Sequence, residues 1–209
     1  PASKADYAFV QHMIHHLAPK GVMGTVLANG SMSSGTGGEG EIRKKMVEAG
    51  LVDCIVALPS QLFYNTMIPA CLWFLRRGKT ERQEEVLFID DRNMGEMISR
   101  RNRALTHEDI LKISDTYHAW REEKTENENF GKYEDTAGFC KSVKLEEIEK
   151  HGFVLTPGRY VGVPEEEDDG ISFEDKMNKL TSALKKQMEE GLQLDEEIKK
   201  NLEGIGFKV

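Results

Sequence analysis

Residues 52–75 read V-D-C-I-V-A-L-P-S-Q-L-F-Y-N-T-M-I-P-A-C-L-W-F-L, and this stretch contains the pattern that decides the fold. Two apolar runs, 52–58 and 70–75, are typical of buried strands, and a polar loop with a proline at each end lies between them. Loops at the ends of sheet strands often carry the chemistry of α/β proteins, so Phe63 and Tyr64 are the first candidates for a functional role. The alternative is that the two rings only anchor the loop on the core.

The segments before this stretch predict one α/β unit. An amphipathic helical pattern over 7–17 is followed by an apolar run at 21–28, which we expect to be a buried strand. A loop rich in glycine and serine occupies 29–40, and a short helix follows at 41–49. The next strand, 52–58, begins directly afterwards. Such short connections predict a right-handed crossover and a parallel pair of strands.

The segments after this stretch predict further α/β elements. The strand at 70–75 returns within about a dozen residues and without a helix, so it should run antiparallel to its predecessor. Residues 86–90 predict another strand, residues 107–122 predict an amphipathic helix, and residues 139–143 predict a short strand. Thr106 and Asp109 have the spacing of a capping box at its start.

Length and composition restrict the class of protein. With 209 residues, 39% of them hydrophobic, the chain can hold one domain with a real core plus an appendage. The sequence contains nothing close to 18 consecutive apolar residues and no charged-then-apolar leader, so we expect neither a membrane span nor a signal peptide, and a cytoplasmic location. The three cysteines lack metal-type spacing and are interpreted as reduced packing residues.

Charge is distributed unevenly along the chain. The formal net charge of −8 argues against a protein that grips nucleic acid by itself, because phosphate contacts need clustered Lys and Arg. An acidic block at 165–169 is interpreted as a solvated linker. Basic side chains concentrate after the second apolar run, at Arg76, Arg77, Lys79, Arg92, Arg100, Arg101 and Arg103.

A long helix is predicted from about residue 172 to residue 202. Its apolar side chains follow alternating four- and three-residue steps, which form a narrow coiled-coil-like seam. Such a seam needs a partner surface, either in its own domain or in another subunit. The seam consists of Phe173, Met177, Leu180, Leu184 and Met188, and apolar residues resume it after Gly191.

Two motifs that suggest ligands are poorly supported. Residues 35–40, G-T-G-G-E-G, fit the dinucleotide fingerprint formally, but the first glycine lies too far from the strand and no ribose-binding carboxylate ends the next one. A mobile loop beside a cleft is the better interpretation. His12 and His16 lie one helical turn apart, but no nearby carboxylate or cysteine completes a metal site, so no metal is expected. The sequence contains no self-sufficient catalytic motif.

Several segments, in order, carry a family resemblance. They are A-D-Y-A-F-V-Q-H-M, P-K-G-V-M-G-T-V-L-A-N-G, G-E-G-E-I-R-K-K-M-V-E, the stretch 52–75, V-L-F-I-D, E-D-I-L-K-I-S-D-T-Y-H-A-W and G-F-V-L-T-P-G-R-Y-V. Together they resemble the modification subunit of type I restriction-modification systems over roughly residues 5–163. That family transfers methyl from S-adenosylmethionine to the exocyclic amine of adenine in DNA.

The resemblance implies an α/β fold: the second half of a Rossmann-like S-adenosylmethionine-dependent methyltransferase sheet, its fifth to seventh strands, followed by a helical C-terminal extension. The implied organisation divides the chain into the C-terminal half of the methyltransferase domain at 1–90, a mainly helical extension at 91–163, an acidic linker at 164–171, and a C-terminal subunit-packing helix at 172–209.

The family's glycine motif for the cofactor and its Asn-Pro-Pro-aromatic catalytic motif do not occur in this sequence, where no two prolines are adjacent. No catalytic residue is therefore assigned to this fragment. S-adenosylmethionine is expected to bind the intact protein but not this fragment, which we expect to be inactive alone. The alternative is a non-catalytic assembly module that docks on a DNA-specificity subunit.

The resemblance also assigns candidate sites and partners. The loop Phe63, Tyr64, Asn65 and Thr66 resembles the family's wall of the pocket for a flipped base, where an aromatic face can replace lost stacking. Family members commonly have Gly-Thr-Gly-Ile-Pro where this chain has N-T-M-I-P at 65–69. The implied partners are a DNA-specificity subunit, a restriction subunit and double-stranded DNA, and no membrane. The DNA-backbone candidates are Arg100, Arg101 and Arg103, and the seam of the last helix is the candidate for subunit packing.

Overall fold

The computed structural model describes residues 5–79, 82–122, 130–163 and 172–207. The chain divides into two compact units, Pro1–Glu165 and Glu166–Val209. The first unit is an α/β domain, and the second is built on one long helix. The acidic linker predicted at 164–171 lies outside the described residues.

The first unit alternates helices and strands along most of its length. Short 3-10 turns occur at Asn29–Met32, Thr36–Gly38 and Pro157–Arg159. The longer elements are α1 (Asp6–His16), β1 (Val22–Ala28), α2 (Glu39–Glu48), β2 (Val52–Ala57), β3 (Ala70–Arg76), β4 (Glu85–Asp90), β5 (Glu96–Met97), β6 (Arg103–Ala104), α3 (His107–Trp120), β7 (Cys140–Lys144) and α4 (Leu145–Lys150). The strands predicted in the stretch 52–75 and the capping box of Thr106 and Asp109 are thereby confirmed.

Five strands form the main sheet in the order β1-β3-β2-β4-β7. β3 is antiparallel to both β1 and β2, as expected from the short connection, and β2 is parallel to β4. β1 and β2 therefore run in the same direction, as predicted, but β3 lies between them. The loop after β2 is long enough for β3 to turn back into this central position.

The prediction that β1 is a buried strand was wrong. It is an edge strand, and its side chains alternate between exposed and half-buried positions. Val22 is 45% exposed and Val26 is 52% exposed on one face, while Met23 and Leu27 pack on the core on the other. An apolar run alone does not show whether a strand has neighbours on both sides.

The two faces of the sheet are covered by different elements. One face packs against α1, α2 and α4, with Tyr7, Met46, Ile55, Trp73, Phe88 and Ile148 among its buried residues. The other packs against α3, with Cys54, Val56, Leu87, Ile89 and Trp120 buried. On this second face, an apolar cavity of about 490 Å³ remains between α3 and the sheet, and the outer side of β1 borders it at Val22.

The segment 91–163, predicted as a mainly helical extension, contains strands as well as α3 and α4. It contains the small hairpin β5–β6 and strand β7, and β7 pairs antiparallel with β4 in the main sheet. The first compact unit accordingly continues to Glu165, so the structure has no boundary at residue 90. β7 lies at Cys140–Lys144, which confirms the short strand predicted at 139–143; its partner β4 could not be read from the apolar pattern.

A buried ion-pair network lies at the edge of the sheet where β2 begins. The fully buried Asp53 accepts a hydrogen bond from the Tyr117 hydroxyl at 2.6 Å, and its carboxylate pairs with three cations. Its oxygens lie 3.3 Å from Arg76 Nε, 3.4 Å from Lys79 Nζ and 3.5 Å from Arg121 Nη1. Burial lowers the pKa of the Lys79 ammonium, and Asp53 opposes that shift. The network fastens the end of α3 to the sheet.

The second unit consists of α5 (Phe173–Gly204), a helix of 32 residues. Ser172 caps its start by accepting a hydrogen bond from the Asp175 backbone, as a helix beginning near residue 172 predicts. All five residues of the predicted seam are exposed, from 44% at Met177 to 77% at Phe173. No helix in the described part of the chain combines the length and apolar character that crossing a bilayer requires.

Candidate nucleic-acid interface

Two loops emerge side by side from the main sheet at its carboxyl edge, the end at which β2 and β4 finish. Because β2 and β4 are adjacent and parallel, the chain leaves both strands at the same edge. Ligands of open α/β sheets bind outside such carboxyl ends. The loop 58–69 follows β2, and the segment 91–95 leads from β4 into the hairpin β5–β6.

The loop 58–69 presents the four predicted base-pocket residues on its surface. An isolated bridge joins Phe63 and Thr66, so the chain turns tightly at Tyr64 and Asn65. Tyr64 is 88% exposed and Phe63 is 41% exposed. Leu62, not either aromatic ring, packs on the core and anchors the loop. The loop therefore offers two aromatic rings to a partner.

The hairpin β5–β6 is tied directly to this loop. The backbone N–H of Arg103 donates to the Gln61 carbonyl at 2.9 Å, and the Gln61 side-chain amide donates to the Arg101 carbonyl at 3.2 Å. Arg100 and Arg101 lie in the exposed turn of the hairpin. The structure thus brings two of the three predicted phosphate-binding arginines next to the predicted base-pocket loop, although roughly 40 residues separate them in sequence.

Arg103 has a different role from its two neighbours. Its guanidinium Nη1 donates to the carbonyls of Met94 and Gly95 at 2.8 and 3.1 Å, and the residue is half-buried. Those contacts link the two strands of the hairpin through the Arg103 side chain. Gly95 has φ +80°, and a Cβ there would lie 2.7 Å from the Ala104 carbonyl oxygen, so only glycine fits. Arg103 thus has a structural role in the hairpin, and its contact with the DNA backbone stays a prediction.

Two carboxylates at the end of β4 have opposite environments. Asp90 accepts two hydrogen bonds from Arg92, at 2.7 and 2.6 Å, and this pairing raises the pKa of Arg92. Asp91 is fully buried, and neither of its carboxylate oxygens has a hydrogen-bond partner among the described residues. Burial raises the pKa of Asp91 to about 7, with a smaller contribution from Asp109. Sequence patterns did not single out either residue.

The segment after β1, at the same edge, is held by buried polar contacts. The Tyr7 hydroxyl donates to the Ser31 carbonyl at 2.6 Å, and Trp73 Nε1 donates to the Ser31 hydroxyl at 3.1 Å. Arg43 Nη1 reaches from α2 to the carbonyls of Ser31 and Ser34 at 3.2 and 2.8 Å. The beginning of the glycine-rich loop is therefore fastened to the core, which its composition alone did not indicate.

The histidines of α1 do not extend the candidate site. The rings of His12 and His16 lie 4.4 Å apart between centroids, and His16 Nδ1 is 2.9 Å from the His12 carbonyl oxygen. Within residues 5–79, 82–122, 130–163 and 172–207, no group of three or more His, Cys, Asp or Glu side chains is arranged to hold a metal. The carboxyl edge is thus a surface of aromatic, amide and guanidinium groups, which suits binding of bases and phosphates.

Comparisons with known proteins agree with this character. The family model described as N-6 DNA Methylase matches residues 1–169. The chain is 55% identical over 208 residues to the HindI type I methylase subunit of Haemophilus influenzae, covering 100% of this chain and 45% of that protein. It is 44% identical to the MjaIX type I methylase subunit of Methanocaldococcus jannaschii, covering 99% of this chain and 36% of the relative.

A solved structure has the same fold. The methyltransferase subunit of the type I restriction-modification system from Streptococcus thermophilus superposes with a TM-score of 0.65 at 34% identity, covering 77% of this chain and 31% of that one. The chain thus spans less than half the length of these relatives. Since the family model matches most of the chain, this protein belongs to the N-6 DNA methylase family, and its sequence corresponds to a part of type I methylase subunits.

Proposed function

We propose that this chain is part of a site-specific DNA adenine methyltransferase, the modification subunit of a type I restriction-modification system. The intact subunit would transfer methyl from S-adenosylmethionine to the exocyclic amine of adenine. The observation that carries this proposal is the exposed aromatic loop at the carboxyl edge of a sheet that belongs to a DNA methylase family. This chain would contribute a DNA-facing edge.

The contribution of the loop to catalysis is positional. Adenine inside a duplex must be turned out of the stack before its amine can react, and stacking on an aromatic ring returns part of the lost energy. Phe63 or Tyr64 would supply that ring, and Asn65 and Thr66 can hydrogen-bond at its rim. Arg100 would bind a neighbouring phosphate, as would Arg101. An intact assembly must supply more positive charge, because the chain itself carries −8.

We infer that this chain does not bind S-adenosylmethionine by itself. The apolar cavity of about 490 Å³ lies between α3 and the sheet, and its lining is mainly apolar. A ligand with an amino-acid group, a ribose and a sulfonium would find few partners there. We therefore assign cofactor binding to the rest of the intact subunit, and calorimetric titration of residues 1–209 with the cofactor should show no appreciable binding.

The sheet of this chain would be the second half of a Rossmann-like methyltransferase sheet. β1 has β3 on one side only, and its outer face exposes Val22 and Val26. Open, apolar edge strands favour unwanted pairing unless they are covered. The remaining length of the intact subunit, more than half by comparison with its relatives, would continue the sheet from β1.

The test of the base-pocket role uses the full-length subunit assembled with its specificity subunit. Replacing Phe63 or Tyr64 by alanine should lower methyl transfer to unmethylated duplex DNA about tenfold for the ring that stacks, since ~1.4 kcal/mol of stacking is lost. Phe9, an exposed aromatic residue on α1, provides the matched control as Phe9→Ala. Unchanged turnover in both loop variants, with folding intact, would remove the base-pocket assignment.

A second function, assembly, is favoured by α5. Five exposed apolar side chains along one helix would be an unfavourable patch in water, so we propose that α5 packs on helices of the DNA-specificity subunit. The restriction subunit would join the same complex. If assembly were the only role, the alanine variants of the loop would leave methylation unchanged while disruption of the seam would still dissociate the complex.

Single substitutions test the seam more sharply than deletion of residues 172–209. Leu184→Glu places a charge in the seam, whereas Asn178→Glu places the same charge on the other side of α5. Co-purification with the specificity subunit should be lost for the first variant and retained for the second. Equal retention of both would show that the seam does not bind that subunit.

A further inference from the structure

The residue that precedes the base-pocket loop has an unusual backbone conformation. Gln61 has φ +69°, which lies in the left-handed region that residues other than glycine and asparagine rarely adopt. Residues held in such conformations cluster at functional sites, where surrounding contacts maintain them. Gln61 lies at the turn between the end of β2 and the exposed residues 63–66.

The contacts that hold Gln61 both come from the hairpin β5–β6. Its carbonyl oxygen accepts a hydrogen bond from the Arg103 N–H at 2.9 Å, and its amide Nε2 donates to the Arg101 carbonyl at 3.2 Å. One contact involves the Gln61 main chain and the other involves its side chain. They therefore fix both the position and the orientation of Gln61 relative to the second half of the hairpin.

The hairpin is a short element outside the main sheet. β5 and β6 have two residues each, and they pair with each other in a separate two-stranded sheet, not with the main sheet. Isolated two-stranded hairpins are marginally stable in water. Arg100 and Arg101 are exposed in its turn, where a phosphate can reach them. Gln61 connects that turn, through its hydrogen bonds, to residues 63–66.

We propose that Gln61 is a positioning residue that couples phosphate binding at the hairpin to the placement of the base-pocket loop. This inference rests on the function proposed above, because it assumes that Arg101 meets DNA and that the loop meets the flipped base. DNA bound at the hairpin turn would hold residues 101–103, and through Gln61 would hold the aromatic rings where the extruded adenine arrives.

The first experiment removes only the side-chain donor. Gln61→Met keeps the length and neutrality of the side chain but cannot donate to the Arg101 carbonyl. Gln11→Met is the matched control, because it removes a similar hydrogen bond from a side-chain amide to the Tyr7 carbonyl on α1. In the full-length subunit with its specificity subunit, Gln61→Met should lower kcat for methylation about fivefold, as for one lost neutral hydrogen bond. The Kd for DNA should change less than twofold, and Gln11→Met should leave both quantities unchanged. Unchanged kcat in Gln61→Met would overturn the proposal.

A double-mutant cycle tests the coupling itself. If Gln61 transmits the effect of the hairpin, Arg101→Ala should lower kcat in the natural background but have little further effect on kcat in the Gln61→Met background. Its effect on the Kd for DNA should be the same in both backgrounds. Multiplicative effects on kcat would show that the hairpin and the loop act independently, and would reject the coupling.

A third variant guards against misfolding. Gln61→Gly accommodates the positive φ without a side chain, so it should fold with an unchanged thermal midpoint and still lose kcat as Gln61→Met does. Normal kcat in this variant would also reject the role of the side chain. Failure of the proposed function has a different signature, because Phe63→Ala and Tyr64→Ala would then both be neutral, whereas failure of the coupling alone leaves one of them impaired.

Discussion

The carboxyl edge of the main sheet and the opposite edge, where β2 begins, place their polar side chains in different environments. At the edge where β2 begins, Asp53 gathers three cations and a tyrosine hydroxyl around one buried carboxylate. At the carboxyl edge, Tyr64 and the arginines of the hairpin turn are exposed, and Asp91 is buried without a partner in the described chain. The first edge pairs a buried carboxylate with several cations, whereas the second leaves an aromatic ring and two guanidinium groups exposed to a partner.

One edge therefore contains residues that stabilise the fold, and the other contains residues that we expect to bind a partner. Buried, paired charges fix the position of α3, whereas an exposed ring or an unsatisfied carboxyl adds nothing to stability by itself. α3 joins the two edges, since its first turn lies near Asp91 and its last turn meets Asp53. Substitutions at the two edges should therefore have opposite effects on stability and activity.

The largest effect is expected at Asp53. Asp53→Asn keeps the shape but leaves Arg76, Lys79 and Arg121 without their carboxylate, and should lower the free energy of unfolding by about 3–5 kcal/mol. Urea denaturation of the subunit measures this, with Asp115→Asn on the exposed side of α3 as the control. Adding Lys79→Met to Asp53→Asn should recover part of the loss. A cost no larger than that of the control would show that the two edges do not differ as described.

Asp91 should show the opposite sign. Its pKa rises from 3.8 to about 7 on folding, so the folded state holds a proton that the unfolded state has lost between these pH values. Stability therefore falls as the pH rises from about 4 to about 7 and is level above that, with an upper limit of about 4 kcal/mol. Asp91→Asn should stabilise the protein at pH 8 and be near neutral at pH 4. Urea denaturation at both pH values tests this; destabilisation at pH 8 would indicate an ionised, paired Asp91.

Gly158 tests how tightly the paired carboxylate at the carboxyl edge is packed. A Cβ at this position would collide with the Arg92 guanidinium and lie 3.0 Å from Asp90 Oδ2. Gly158→Ala should therefore cost about 1–3 kcal/mol, because the bidentate pair must shift. Gly35→Ala, where no heavy atom lies within 4 Å, is the matched control. Equal thermal midpoints of the two variants would mean that the pair moves freely.

The smallest effect is expected at the start of α3. Thr106 accepts from the Asp109 backbone at 3.1 Å, so Thr106→Ala should lower stability by about 1 kcal/mol. Thr116→Ala on the same helix removes a hydroxyl that bonds only within the helix, to the Lys112 carbonyl, and should cost less. If α3 aligns both edges, Thr106→Ala should also raise the exchange rate of amides near Asp91, which hydrogen exchange would detect.

Local signals in the sequence determined much of this protein. Two apolar runs predicted β2 and β3, and the short connection between them predicted their antiparallel pairing. A capping box predicted the start of α3, and the seam of apolar residues predicted α5. The succession of sequence segments along the chain also indicated the family, which the comparisons confirm. Such features depend on neighbours within a few turns or one short loop, so the sequence contains them directly.

Only the tertiary structure decided which side chains meet across the chain. Asp53 and Tyr117 are 64 residues apart, and Gln61 and Arg101 are 40 apart, and no periodicity relates them. Likewise, an apolar run cannot reveal that β1 is an edge strand or that β7 completes the sheet beside β4. Strand order and buried polar networks are set by packing the whole chain at once, because each pairing competes with every other segment for the same backbone partners.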